Sequence, residues 1–279
     1  MPEKSFDVQA RFDVQGRTAV ITGGSGYFGR AMASALAQAG AQVAILGRHG
    51  ETTQTVAQTI QAEGGSALGI ACDVLSRASL EQSQEQIANA FGPVDILINA
   101  AGGNSPSATT SAEQSFFDLD AQAATHVFGL NFTGTFQSCQ VFGRGMAQRG
   151  EGCILNVTSM SGLRPLTRVP AYSAAKAAIV NFTQWLAVHM AQEYSPRIRV
   201  NALAPGFFLT EQNRYLMIDT HSGSLTTRGQ TIVDHTPMGR LGTPEDLLGT
   251  LFWLVSPASA FVTGVVIPVD GGFSSFSGV

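Results

Sequence analysis

Charge is scarce in this chain of 279 residues. Only 13% of the residues are Asp, Glu, Lys or Arg, against a usual share of about 25%. The 16 basic and 20 acidic side chains leave a net charge of −4, and the basic clustering of a nucleic-acid binder is missing. So little charge has a large surface to cover that self-association, hiding part of it, is expected. Cysteine is as sparse: Cys72, Cys139 and Cys153 are odd in number and scattered, with no C-x-x-C spacing. That argues against a disulfide framework or a zinc site. His126, His189, His221 and His235 show no paired ligand spacing, and no metal is assigned to them. No apolar run approaches the roughly 20 residues of a membrane span. The polar, mixed-charge segment 1–16 has no apolar stretch of a signal peptide, so a soluble cytoplasmic protein is the expectation. With 44% hydrophobic residues and 31 glycines, the chain is neither disordered nor collagen-like. It is long enough to bury a core without staples.

The only internal repetition is FDVQ, at 6–9 and 12–15, inside what reads as a lead-in of residues 1–16. From residue 17 onward, short β-branched runs alternate with longer helical patterns. Strands are predicted at 18–22, 42–46, 67–71, 94–98, 154–158, 199–203 and 265–269. Helices are predicted near 30–39, 52–62, 80–91, 121–148, 172–194 and 244–254. Alternation of this kind, with continuous apolar strands, predicts a single α/β domain spanning 17–279. Its core is a parallel seven-stranded sheet, doubly wound, with helices on both faces. Residues 207–236 lack a clear pattern; a segment that long reads as a substrate lid.

The first predicted strand runs into Gly23, Gly24, Ser25, Gly26, Tyr27, Phe28 and Gly29, and then a helix. Gly23, Gly26 and Gly29 follow a G-x-x-G-x-x-G spacing. Glycine there lets the backbone turn tightly and approach a pyrophosphate seated on the helix N-terminus. Asp73, followed by Val74, ends the third strand; its carboxylate suits an adenine amine, or equally a plain turn. Asn99, Ala100, Ala101 and Gly102 end the fourth, where small residues let a cofactor lie against the sheet edge. Ligands bind beyond the carboxyl ends of such strands, so these segments converge on one crevice. The second strand ends at Gly47-Arg48, with no carboxylate for the ribose hydroxyls of NAD. A 2′-phosphate would meet Arg48 instead, so NADP(H) is expected to be favoured, with NAD(H) still usable.

Tyr172 and Lys176 stand four residues apart and share one helix face. An ammonium beside a phenol favours the phenolate and brings its pKa toward the working range. Ser159, thirteen residues before the tyrosine, lies just past the fifth strand, where its hydroxyl can hold a substrate oxygen.

With TGGSGYFG, CDV, NAAG, LNFTG, YSAAK, NALAPGFFLT and VTGVVIPVDGG, residues 17–272 resemble the short-chain dehydrogenase/reductase family. The resemblance implies an NAD(P)-dependent oxidoreductase, a Rossmann fold and a catalytic tetrad of Asn131, Ser159, Tyr172 and Lys176. It implies that Tyr172 exchanges a proton with the substrate oxygen while Ser159 orients it. Lys176 would bind the nicotinamide ribose and lower the tyrosine pKa, and Asn131 would hold a relay water. Pro205, Gly206, Phe208 and Thr210 match the segment that contacts the nicotinamide end. Two departures stand out: Tyr27 occupies the second glycine position of the usual TGxxxGxG, and NAAG replaces NNAG, so Ala100 lacks the bonds of an asparagine.

Within the family, AGGNSP, FFDLD, NALAPGFFLTEQNR and HTPMGRLG are most similar to sugar-acid reductases of the D-mannonate oxidoreductase (fructuronate reductase) type. The small-molecule substrate this implies is a carbonyl or hydroxy acid, with 3-oxoacyl thioesters and gluconate as alternatives. A non-catalytic nucleotide-sensing module is the rival of another class, disfavoured by the intact tetrad. A uronate needs a cation and hydroxyl partners. Arg164 and Arg168, between Ser159 and Tyr172, suit a carboxylate, or are solvated or interface arginines. Asn104 is placed to reach substrate hydroxyls, and Gln212, Asn213 and Arg214 open the lid segment. The family resemblance also implies a homotetramer, with 121–148 and 172–194 as candidate interface helices.

Overall fold

In the computed structural model, residues 7–278 are described apart from 211, 212 and 221, with residues 215 and 216 described by backbone alone. Seven strands, β1 (Thr18–Thr22), β2 (Gln42–Gly47), β3 (Ser66–Ala71), β4 (Ile96–Asn99), β5 (Gly152–Val157), β6 (Ile198–Pro205) and β7 (Val266–Val269), form one sheet. Their order is β3-β2-β1-β4-β5-β6-β7, and every neighbouring pair is parallel. The helices are α1 (Val8–Arg11), α2 (Tyr27–Gln38), α3 (Gly50–Ala62), α4 (Arg77–Phe91), α5 (Ala121–Phe128), α6 (Gly134–Arg149), α7 (Pro170–Glu193), α8 (Arg214–Met217), α9 (Thr227–Asp234) and α10 (Glu245–Val255).

All five residues of β1 are buried, because a parallel sheet is covered on both faces and both sets of alternating side chains must be dry. Ala19 and Ile21 join Met32, Leu36, Val56 and Leu251 in the core beneath α2, α3 and α10. Val20 points the other way, into the core that α4, α6 and α7 close with Leu80, Phe142 and Leu186. The resulting fold is a single doubly wound Rossmann-like domain. β1 pairs with β2 on one side and β4 on the other. The chain direction across the sheet therefore reverses at β1, which places a crevice at the carboxyl ends of β1 and β4.

Two elements differ from the sequence-based expectation. The helix predicted over 121–148 is interrupted by a π-helical turn, Gly129–Thr133, between α5 and α6. Its cause is Asn131, whose Nδ2 donates to the Val127 carbonyl at 2.7 Å. The side chain thus takes an acceptor within its own helix, and the ladder widens so that the Gly134 N–H reaches Gly129. Single π turns of this kind frequently mark functional positions. The 207–236 segment carries α8 and α9 and an antiparallel bridge, Ile218 to Leu225.

Candidate active site

Backbone shape comes first in this site. Gly23 has φ 64°, and a Cβ there would stand 2.7 Å from Ala101 Cα and 2.8 Å from the Ala100 carbonyl. A Cβ on Gly29 would strike the Gly23 carbonyl. Only glycines let the β1–α2 turn lie this close to the β4 end. Gly24 N donates to the Leu46 carbonyl at 3.0 Å, pinning the turn to β2. Gly26 precedes α2 and offers no side-chain acceptor, so the first-turn N–H groups of α2 are left for a ligand. A dinucleotide pyrophosphate fits that donor set. Tyr27, the departure in the glycine motif, is the first residue of α2, and its ring packs edge-on to Phe28 at 5.4 Å.

The cavity this turn opens onto has a volume of about 500 Å³. At the β2 end its wall carries Ser25, Arg48 and His49; at the β5 end it carries Ser159, Tyr172 and Lys176. Ala100, Ala101 and Gly102 form the wall between them, with Val74 nearby and Pro205, Gly206 and Thr210 on the β6 side. Residues that the sequence assigned to a cofactor and to catalysis therefore share one continuous space. Arg30, His49, Cys72 and Thr158 also line it, with no role assigned from the sequence, and Gly24 was read only as one of the turn's glycines. Gly24 has a readable signal, since Gly24, Gly26 and Gly29 make G-x-G-x-x-G, and it packs on Ile45. His49 adjoins Arg48 but belongs to no motif.

Lys176 is buried. Its Nζ donates to the Val157 carbonyl at 3.0 Å and sits 5.5 Å from the centre of the Tyr172 ring. Burial, with its loss of hydration, brings the ammonium down to about 8. Burial also raises the Tyr172 phenol above its ordinary value, while a hydrogen bond with the Ser159 hydroxyl pulls it back. That counterweight was expected from Lys176; here it comes from Ser159. Ser159 Oγ also accepts from the Ser161 N–H at 3.1 Å, which fixes its rotamer. Asn131 is fully buried, exchanging two hydrogen bonds with Gly103: Nδ2 to its carbonyl at 2.7 Å and its N–H to Oδ1 at 3.3 Å.

Other sequence-assigned residues lie off the cavity wall. Asn99 is buried within the sheet layer, its Nδ2 donating to Asn156 Oδ1 at 2.9 Å. Asp73 closes a local turn, accepting the Leu75 N–H at 2.9 Å. Phe208 stands behind the wall, edge-on to Phe28 at 5.0 Å. Asn104 donates to Thr109 Oγ1 within its own loop. Arg164 is exposed. Arg168 has φ 76°, lines a separate hollow with Thr110 and Ser173, and accepts the Thr110 N–H through its carbonyl. Gln212 lies outside the described residues. Among the described residues no group of three or more His, Cys, Asp or Glu is placed to hold a metal, and no helix is long and apolar enough to cross a membrane.

Residues 17–220 match the short chain dehydrogenase family. An uncharacterized oxidoreductase, UxuB, of Bacillus subtilis (strain 168) is 52% identical, over 96% of this chain and 98% of its own length. A crystal structure from Haemophilus influenza, provisionally named a D-mannonate oxidoreductase and holding NAD, is 43% identical. It superposes with a TM-score of 0.91 over 98% of this chain and all of its own. A gluconate 5-dehydrogenase from Burkholderia cenocepacia J2315, in complex with NADP and tartrate, is 31% identical. Its TM-score is 0.86, over 97% of this chain and all of its own.

Proposed function

Since the chain belongs to the short-chain dehydrogenase/reductase family of NAD(P)-dependent oxidoreductases, we propose that it interconverts a hydroxyl and a carbonyl on a sugar acid, D-fructuronate and D-mannonate first among them. The observation that carries this reading is the single cavity with a pyrophosphate-shaped glycine turn at one end and Ser159, Tyr172 and Lys176 at the other. The sugar-acid class is supported by the provisional name of the Haemophilus protein and by the gluconate 5-dehydrogenase.

A bound nicotinamide would supply or accept the hydride. The protein's part is the proton. Tyr172 hands its phenolic proton to the carbonyl oxygen during reduction and takes one from the hydroxyl during oxidation. Ser159, whose hydroxyl lines the same wall as the phenol, holds that same substrate oxygen. Lys176 presents a cation anchored on Val157 beside the tyrosine, and would take a ribose hydroxyl of the bound cofactor. Asn131 has both amide protons engaged, by Val127 and Gly103. We therefore assign its side chain a positioning role, holding the Gly102–Gly103 backbone against Lys176.

For the cofactor, the β2 tip favours NADP(H) over NAD(H). Gly47 and Arg48 stand where a ribose-binding carboxylate would be, and Arg48 and His49 line the cavity there. Bound cofactors among relatives run both ways, NAD in one and NADP in the other. A homotetramer is also proposed, with α7 as an interface helix because Trp185, Val188 and Tyr194 leave an apolar strip exposed at its C-terminal end. The deciding experiment is a panel of hexuronates, aldonates, polyols and acetoacetyl thioesters with both cofactors. The reading requires the highest kcat/KM on a hexuronate or aldonate; a higher value on a thioester or an uncharged polyol defeats it.

A further inference from the structure

If the substrate is a sugar acid, its carboxylate needs a cation near the reacting carbonyl, and the catalytic end of the cavity offers few. The wall residues there are Ser159, Tyr172, Lys176, Pro205, Gly206 and Thr210. Lys176, the one cation among them, is buried and held by Val157. Arg168 lines a different hollow, and Arg164 lines neither.

The segment after Thr210 supplies another cation. Thr210 on the wall is locked to Asn213 by three bonds: Thr210 N to Asn213 Oδ1 at 2.8 Å, Asn213 N to Thr210 Oγ1 at 3.2 Å, and Asn213 N to the Thr210 carbonyl at 3.2 Å. Asn213 Nδ2 also donates to the Phe208 carbonyl at 2.8 Å. Phe208 is in turn seated against Gly242, whose Cβ would lie 2.7 Å from the phenylalanine ring. A closed four-residue turn keeps its end Cα atoms within about 7 Å. Arg214 follows Asn213 directly and opens α8. Its backbone is thus tied, through Asn213, to Thr210 on the cavity wall. It is exposed, and no ion pair or hydrogen bond engages its guanidinium among the described residues.

From this placement we infer that Arg214, and neither Arg164 nor Arg168, receives the substrate carboxylate and sets the preference for sugar acids over neutral sugars. A planar guanidinium matches a carboxylate two bonds at a time, which a lysine cannot. The inference rests on the sugar-acid reading above.

The test compares wild type, Arg214→Gln, Arg214→Lys and Arg168→Ala, reading kcat/KM for D-fructuronate and for D-fructose. The ratio of acid to neutral ketose should fall about tenfold or more in Arg214→Gln, chiefly through KM for the acid, as expected for loss of a charge-assisted bond. Arg214→Lys should recover part of the loss, and Arg168→Ala should leave the ratio near that of wild type. An unchanged ratio in Arg214→Gln, or a fall confined to Arg168→Ala, overturns the assignment while leaving the sugar-acid reading intact. A wild type that favours the ketose overturns both.

Discussion

The backbone of Gly102 lies so close to Asn131 that a Cβ on the glycine would stand 2.5 Å from Asn131 Oδ1 and 3.2 Å from Lys176 Nζ. Two groups of the proposed tetrad thus share a wall that only glycine can complete. Gly102→Ala should lower kcat/KM by about tenfold or more, since misplacing a catalytic group by about 1 Å is that costly. The thermal midpoint should move by only a few degrees. Steady-state kinetics alongside a melting curve checks this; full activity in the variant would show that the wall yields freely.

The depressed Lys176 pKa makes a stability prediction. The folded chain releases this proton near 8, whereas an unfolded lysine holds it to about 10.4. Between these values the unfolded state binds more protons, so stability attributable to Lys176 rises with pH across that window. The gain is at most about 3 kcal/mol. Urea unfolding at pH 7.5, 9 and 10.5 should show the rise in wild type but not in Lys176→Met. Parallel curves for the two proteins would contradict it.

The raised Tyr172 phenol sets the pH dependence of turnover. Reduction uses the protonated phenol, so its rate should hold through neutral pH and fall only on the alkaline side. Oxidation uses the phenolate and should climb over the same alkaline range. Opposed limbs in the two directions of kcat/KM bear this out. A reduction rate that already falls below neutral pH would put the proton donor elsewhere.

Much of this arrangement was legible in the chain. The strand tips at Gly23, Ala100, Gly102 and Pro205 could be placed because a buried parallel strand writes itself as an apolar run ended by small residues. Tyr172 and Lys176 could be paired by helix spacing, and became a site only together with Ser159 and the glycine turn. Less legible was anything depending on which way a side chain turns. Asn99 and Asp73 sit at the correct strand ends, yet Asn99 turns into the sheet layer and Asp73 bonds its own turn. The π turn at Asn131 was invisible because an extra residue in a helix leaves the apolar pattern nearly unchanged. Its cause, a side-chain bond to Val127, exists only in three dimensions.

Cofactor choice is tested at the β2 tip. A Cβ on Gly47 would meet Ser25 Oγ and Thr53 Cγ2 at 3.0 Å each, so an aspartate fits if these neighbours give by a few tenths of an ångström. Gly47→Asp with Arg48→Leu should shift the ratio of kcat/KM for NADPH and NADH by about 10–100-fold toward NADH, the value of one or two charge-assisted bonds. A wild type that already prefers NADH in kcat/KM would contradict the assignment of Arg48.

The most direct measurement follows absorbance at 340 nm as D-fructuronate is mixed with NADPH and either wild type or Tyr172→Phe. Wild type should oxidise NADPH and yield D-mannonate. The variant should bind NADPH with affinity within a few-fold of wild type and turn over about 10²–10⁴-fold more slowly, the range for loss of a general acid. No NADPH consumption by wild type, or a variant retaining more than about a tenth of the rate, well above that range, would contradict the account.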